Sequence, residues 1–179
     1  KRLSQIDLIR DAYTAFTEGH ILIAEAGTGL GKSIAYLAAG ILSAKQKNIT
    51  LVVSTHTKNL QEQLFDKDIP QLSNVLDIKM NAVIYKGRHN YICQTRLENL
   101  ITNHIHLINA YEYEALMILI VWEGETQTGD INECVGFQLN RFKRLWSLVR
   151  SERGYCSTHR CSKYEGCYLG NLKNKIKNA

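Results

Sequence analysis

The chain has 179 residues, 45% of them hydrophobic, enough for one domain or a domain plus a small insert with a real core. Its 22 basic and 17 acidic residues leave a net charge of +5, a mild excess that suits a polyanion-binding surface. No apolar run approaches the roughly 20 residues that span a bilayer, and no apolar stretch follows Lys1-Arg2-Leu3-Ser4, so a membrane span and an export signal are both unexpected.

Residues 4–18 carry Ile6, Ile9, Tyr13 and Phe16 at three- and four-residue steps, which predicts an amphipathic helix ended by Gly19. Gln5 on it has an amide that could read an adenine edge, or simply be solvated. Ile21-Leu22-Ile23-Ala24 then reads as a buried strand. It leads into Ala26-Gly27-Thr28-Gly29-Leu30-Gly31-Lys32-Ser33, and Ile34 to Ala39 is helix-forming. Strand, glycine-rich turn and helix are the setting of a phosphate-binding loop. Its glycines turn successive N–H groups inward as an anion nest, and the helix adds its positive end. Gly27, Thr28, Gly29, Leu30 and Gly31 would cradle a nucleotide triphosphate, Lys32 would reach the β- and γ-phosphates, and the Ser33 hydroxyl would hold Mg²⁺. The strict pattern starts with glycine; Ala26 stands there, which is tolerable if its φ stays negative. The plain alternative is a glycine-rich turn with an incidental Gly-Lys-Ser.

Ile49-Thr50-Leu51-Val52-Val53-Ser54 is a β-branched run and predicts a second strand, giving a right-handed βαβ unit with parallel strands. Thr55, Thr57 and Lys58 fall at its carboxyl end, where open α/β sheets bind ligands, and they suit the phosphates of a nucleic-acid backbone. Thr55 or Thr57 would equally cap the helix that runs through Leu64. Pro70 marks a break or a new helix start, and Asn81 to Tyr85 is a third strand candidate. Beyond residue 88 the alternation stops. Residues 94–122 read as helical, with Leu97, Leu100, Ile101, Ile105 and Ile108 as a core stripe. Glu123 to Asp130 reads as a loop, and Phe137 to Val149 as a helix. On that helix Arg141, Lys143 and Arg144 interleave with Phe142 and Trp146, either lining a single-strand groove or forming a solvated basic face; Arg150 follows.

Five cysteines without an export signal point to metal or redox chemistry rather than disulfides. Cys156, Cys161 and Cys167 lie close together, and Cys93 stands far upstream. Three near thiols and one distant one can supply four thiolates to a [4Fe–4S] centre; the spacing is not the paired pattern of zinc ribbons. Cys134 reads as a small buried residue, and His159 within the triplet is a substitute ligand of lower rank.

Several runs together resemble the iron–sulfur superfamily 2 DNA helicases of the DinG/YoaA type, relatives of XPD. They are Arg2 to Gln5, Ala24 to Ser33, Val53 to Leu64, Lys67 to Pro70, Lys86-Gly-Arg-His-Asn-Tyr-Ile-Cys93, Thr128-Gly-Asp130 and the cysteine triplet. The short insert between Cys93 and Cys156 points to the YoaA-like subgroup. The resemblance implies an α/β fold: part of a RecA-like motor lobe (parallel sheet with flanking helices) in residues 1–88, a mainly helical iron–sulfur domain in 89–170, and the start of the return into the lobe in 171–179. It assigns Gln5 to the adenine-reading motif, Thr55 and Thr57 to a DNA-contacting motif, and Cys93, Cys156, Cys161 and Cys167 to the cluster. It further implies ATP-driven 5′–3′ unwinding in DNA repair, with single-stranded and forked or damaged duplex DNA as partners, alongside replication or repair proteins. A monomer in the bacterial cytoplasm is expected. The helicases of this type need an Asp-Glu-x-His box, and none occurs in these 179 residues. Lys1 in place of Met gives the expectation of a processed or trimmed chain, and the missing box and second motor lobe that of an N-terminal piece with little activity of its own. The competing reading is a nucleotide-independent metal-containing module that binds DNA and carries a vestigial phosphate loop; a small P-loop kinase is disfavoured because nothing resembles its lid.

Overall fold

The computed structural model describes residues 3–155, 161 and 166–177. They fall into two compact units, divided between Ile84 and Tyr85.

In the first unit, α1 (Leu3–Glu18) packs on α2 (Lys32–Lys47). Gly40 permits the contact, because a Cβ there would meet Leu51 at 2.8 Å and the Phe16 ring at 3.4 Å. Gly19, at φ +75°, ends α1, with the His20 N–H returning to the Ala15 carbonyl in a left-handed cap. Lys47 donates to the Phe16 and Thr17 carbonyls at the same end, where the helix presents its negative pole. After α2 come α3 (Lys58–Gln63), a π-helical turn (Leu64–Asp68) and α4 (Ile69–Leu76), whose first turn takes Pro70 at no cost. Leu37, Ala38, Leu64 and Leu72 form the core, edged by Val53 and Met80.

The predicted strands are not there. Residues 21–24, 49–54 and 81–85 are irregular, and the described residues contain no β-strand. Ile21 and Ile23 are each 94% exposed and Val52 84%. An apolar β-branched run states a preference for a pleated, covered surface, but a strand exists only when a neighbour's backbone completes its ladder. Here the helices pack on one another, and no ladder joins the three runs.

The second unit is helical: α5 (Gln94–Asn103), α6 (Ala110–Glu125), α7 (Lys143–Val149) and α8 (Tyr168–Lys177), with short 3₁₀ turns at Arg88–Asn90, Ile105–Leu107 and Ile131–Glu133. Leu97, Leu100, Ile108, Leu116, Leu119, Leu145 and Val149 are buried in its core, while Ile101 faces solvent. The expected helix over 94–122 is interrupted because Asn109 starts a new one. Its side chain accepts from the Tyr111 and Glu112 N–H groups, and Glu112 accepts back from the Asn109 N–H. α6 runs on to Glu125, into the stretch expected to be a loop, and the helix expected from Phe137 forms only from Lys143. Residues 91–93 lie between two partners. Tyr91 bridges Asp130 and Ile92 bridges Arg150, with Ile92 N–H donating to Gly129 and Cys93 N–H to Val149.

Candidate functional site

The glycine-rich loop turns where the motif demands it. Gly29 and Gly31 have φ of +77° and +84°, and α2 starts at Lys32. Ala26 keeps a negative φ, so its methyl is accommodated. Gln5, far away in sequence, donates from Nε2 to the Gly31 carbonyl at 3.2 Å. The amide assigned to the adenine thus sits on the loop assigned to the phosphates. Lys32 is exposed and folds back so that Nζ donates to the Ala26 carbonyl at 2.6 Å. Ser33 is half-buried in the first turn of α2; Gly27 and Thr28 lie exposed in the loop, and Leu30 is half-buried.

Thr57 is the N-cap of α3, accepting from the Leu60 N–H at 3.3 Å, and the Thr55 hydroxyl donates to the Thr57 carbonyl at 3.1 Å. Thr57 and Lys58 are both exposed at that helix start. The capping role and an outward face therefore coexist.

Of the four assigned cluster ligands, Cys156 lies outside the described residues, as does His159. Cys93, half-buried, immediately precedes α5. Cys161 Sγ is 3.6 Å from the Thr95 hydroxyl, two residues beyond Cys93. Cys167 immediately precedes α8, and its Sγ accepts from the Gly170 N–H at 3.1 Å. Among the described residues no set of three or more Cys, His, Asp or Glu side chains is arranged to hold a metal ion. Cys134 is buried in the core of the second unit, and that burial pushes its thiol pKa up.

The Lys86 to Cys93 run closes on Thr128-Gly-Asp130. Lys86 Nζ and Asp130 Oδ2 are 2.6 Å apart, each residue 7% exposed. Asp130 also accepts from the backbone and side-chain N–H groups of Asn132. The Lys86 N–H donates to the Tyr91 hydroxyl, whose pKa burial raises. Each motif is visible alone in the sequence, but their pairing has no local signal. Arg96 has none either, being one charged residue on a polar helix face. It donates to the Ser147 and Arg150 carbonyls and to Glu152, and stacks 4.8 Å from the Tyr155 ring centroid. It thereby fastens the stretch that leads into the cysteine triplet to α5.

The single-strand groove on α7 is a correction. Trp146 is 4% exposed, and its indole N–H donates to the His89 carbonyl at 2.9 Å. Its ring packs against Phe137, and Phe137 in turn against Phe142. A ring needed for the core offers no face to a base. Arg144 is engaged with Glu112 and the Leu107 carbonyl.

These features describe a unit with a glycine-rich loop ahead of a helix and a cysteine-bearing helical unit. Residues 5–133 match the DEAD/DEAH box helicase family, and the chain belongs to it. It is similar to the ATP-dependent DNA helicase YoaA of Haemophilus influenzae, 32% identical over 178 residues, covering 99% of this chain and 27% of that protein. Against YoaA of Escherichia coli it is 35% identical over 165 residues, 92% of this chain and 25% of the relative. Against the ATP-dependent helicase DinG of Mycobacterium tuberculosis it is 33% identical over 188 residues, 94% of this chain and 27% of the relative. The DinG/YoaA-type resemblance read from the motifs is met by these relatives. The chain spans about a quarter of their length.

Proposed function

We propose that this chain is the front part of an ATP-dependent DNA helicase that unwinds duplexes 5′ to 3′ in repair. Residues 1–88 would belong to the first motor lobe, 89–170 to an iron–sulfur domain, and 171–179 to the return into the lobe. Completion of the RecA-like sheet would cover Ile21, Ile23 and Val52, whose exposure is costly for side chains of that size. ATP would lie on Gly27 to Gly31 with its base near Gln5. Lys32 would neutralise the terminal phosphates and Ser33 would hold Mg²⁺. Thr55, Thr57 and Lys58 would meet the DNA backbone.

The observation that supports this reading is the hydrogen bond from Gln5 of α1 to the Gly31 carbonyl, which brings that amide to the glycine-rich loop ahead of Lys32. The test is strand separation by the full-length protein on a 5′-tailed duplex with ATP and Mg²⁺; no ATP-dependent unwinding would refute it. The 179-residue chain by itself, without an Asp-Glu-x-His box, is expected to turn over little ATP. Gly31→Ala is expected to weaken ATP binding by about tenfold or more, since φ +84° strains an L-residue by about 1–3 kcal/mol and the new Cβ would stand 2.3 Å from Gln5 Nε2. Titration with a fluorescent ATP analogue reads this out; unchanged affinity would remove Gly31 from the site.

The donor set suits an iron–sulfur cluster. Thiol sulfurs are its natural ligands, and Cys167 Sγ already accepts a backbone N–H, the interaction that stabilises a metal-bound thiolate. Cys93, Cys156, Cys161 and Cys167 would hold it, and when bound it would cross-link segments far apart in sequence. Anaerobic preparation should give a brown protein containing iron and acid-labile sulfide. Zinc without iron would overturn the assignment.

A further inference from the structure

Glu123 sits in the last turn of α6, where the helix's negative pole disfavours a carboxylate, so its place there is not explained by the helix itself. Its tertiary contacts explain it. Gln94 Nε2 donates to Glu123 Oε1 at 2.7 Å. The Tyr168 hydroxyl lies 3.1 Å from the same Oε1 and 2.9 Å from the Glu123 carbonyl oxygen. Gln94 directly follows Cys93, and Tyr168 directly follows Cys167. Glu123, through Oε1 and its own carbonyl, therefore ties together the first residues of two helices, each of which is preceded by a thiol.

A second tie joins the same two places. Gly129 has φ +67°, and a Cβ there would stand 2.4 Å from the Tyr168 ring, so only glycine leaves room for that ring. The Gly129 carbonyl accepts the Ile92 N–H at 2.9 Å. Gly129 thus touches the neighbours of Cys93 and of Cys167 at once.

We infer that Glu123 is a positioning residue that sets Cys93 and Cys167 side by side before any metal arrives, a role that rests on the cluster reading above. Such outer partners typically change metal affinity about 10–100-fold when removed. The Glu123 carboxylate needs only its oxygen as an acceptor here: Gln94 donates to Oε1, and the single proton of the Tyr168 hydroxyl is shared between Oε1 and the Glu123 carbonyl. Glutamine keeps an acceptor oxygen at that position, and alanine does not.

The test begins with the metal-free chain carrying Cys134→Ser, Cys156→Ser and Cys161→Ser, so that Cys93 and Cys167 are its only thiols. A short bifunctional thiol reagent is added, and the rate of intramolecular cross-linking is measured. Glu123→Ala keeps the carbonyl that holds Tyr168 but removes the acceptor of Gln94, and is expected to slow cross-linking about tenfold, the loss expected for one hydrogen bond to a charged acceptor, with Glu123→Gln restoring most of it. Tryptophan-fluorescence melting of each variant checks that the unit stays folded, and the rates are compared below the melting range. Equal rates with and without the Glu123→Ala substitution, whether fast or slow, overturn the proposal. In the chain with all its cysteines, iron and sulfide are then counted after anaerobic reconstitution, with Glu123→Ala expected to hold less of both. If the unsubstituted chain binds no iron, the cluster reading fails and the cross-linking difference still decides the positioning role. If it binds iron and Glu123→Ala binds as much, the positioning role fails and the cluster reading stands.

Discussion

Lys32→Ala in the full-length protein is expected to lower ATP turnover by about a hundredfold or more and to abolish unwinding. Phosphoryl transfer gives a protein little covalent work to do, so catalysis depends on charges held at the phosphates. Losing one such preorganised group costs about 10²–10³ in rate. The fold gives no reason for the substitution to act indirectly. The Lys32 side chain is exposed, and its ammonium donates to the Ala26 carbonyl within its own loop. Its removal should therefore leave stability within about 0.5 kcal/mol. The measurements are ATPase rate, strand separation, melting temperature and iron content of the same preparation. Unwinding at the original rate by the Lys32→Ala protein would make the loop vestigial and favour a nucleotide-independent DNA-binding module.

The largest effect on stability is expected at the buried pair Lys86 and Asp130. Asp130→Asn is nearly isosteric and keeps an oxygen for the Asn132 N–H groups. It removes the charge 2.6 Å from Lys86 Nζ and leaves an ammonium buried without it. Breaking such a pair from one side costs about 3–5 kcal/mol, because the surviving charge keeps its desolvation penalty. Domains are stable by only about 5–15 kcal/mol, so much of the margin would go. For a unit of this size the melting temperature should fall by about 10 °C or more. Both tryptophans, Trp122 and Trp146, belong to the second unit, so their fluorescence reports on that unit alone. Adding Lys86→Met should recover part of the loss, since no ammonium then remains to be solvated. A double variant as unstable as Asp130→Asn alone would mean that the pair's charges do not carry the effect.

The pair also explains why two motifs stand so far apart in the chain. Lys86-Gly-Arg-His-Asn-Tyr-Ile-Cys93 and Thr128-Gly-Asp130 are two sides of one local structure. The ion pair, the Tyr91 to Asp130 bridge and the Ile92 to Gly129 hydrogen bond hold the backbone that ends in Cys93. Around Tyr168 the same economy appears: its hydroxyl pKa is pushed up to about 12 by burial and by the Glu123 carboxylate. The residues that frame the thiols are ordinary in type and informative only by where they meet.

Local signals were legible in the sequence. Gly19 as a helix stop, the turn at Gly29 and Gly31, the helix from Lys32 and the Thr57 cap each depend on a few neighbouring residues and their backbone preferences, and the burial of Cys134 is expected from its residue type. The family, too, was readable, because its motifs are short contiguous runs. Tertiary structure decided the rest. Whether Ile21 to Ala24 becomes a strand depends on a partner backbone, not on its own β-branched side chains. Whether Trp146 stacks on a base or fills a core depends on Phe137 and His89, which reach it only through folding. The convergence of Gln94 and Tyr168 on Glu123 spans most of the second unit in sequence. Periodicity and spacing report on residues a few positions apart, whereas ion pairs, ladders and shared acceptors form between residues that only the fold makes neighbours.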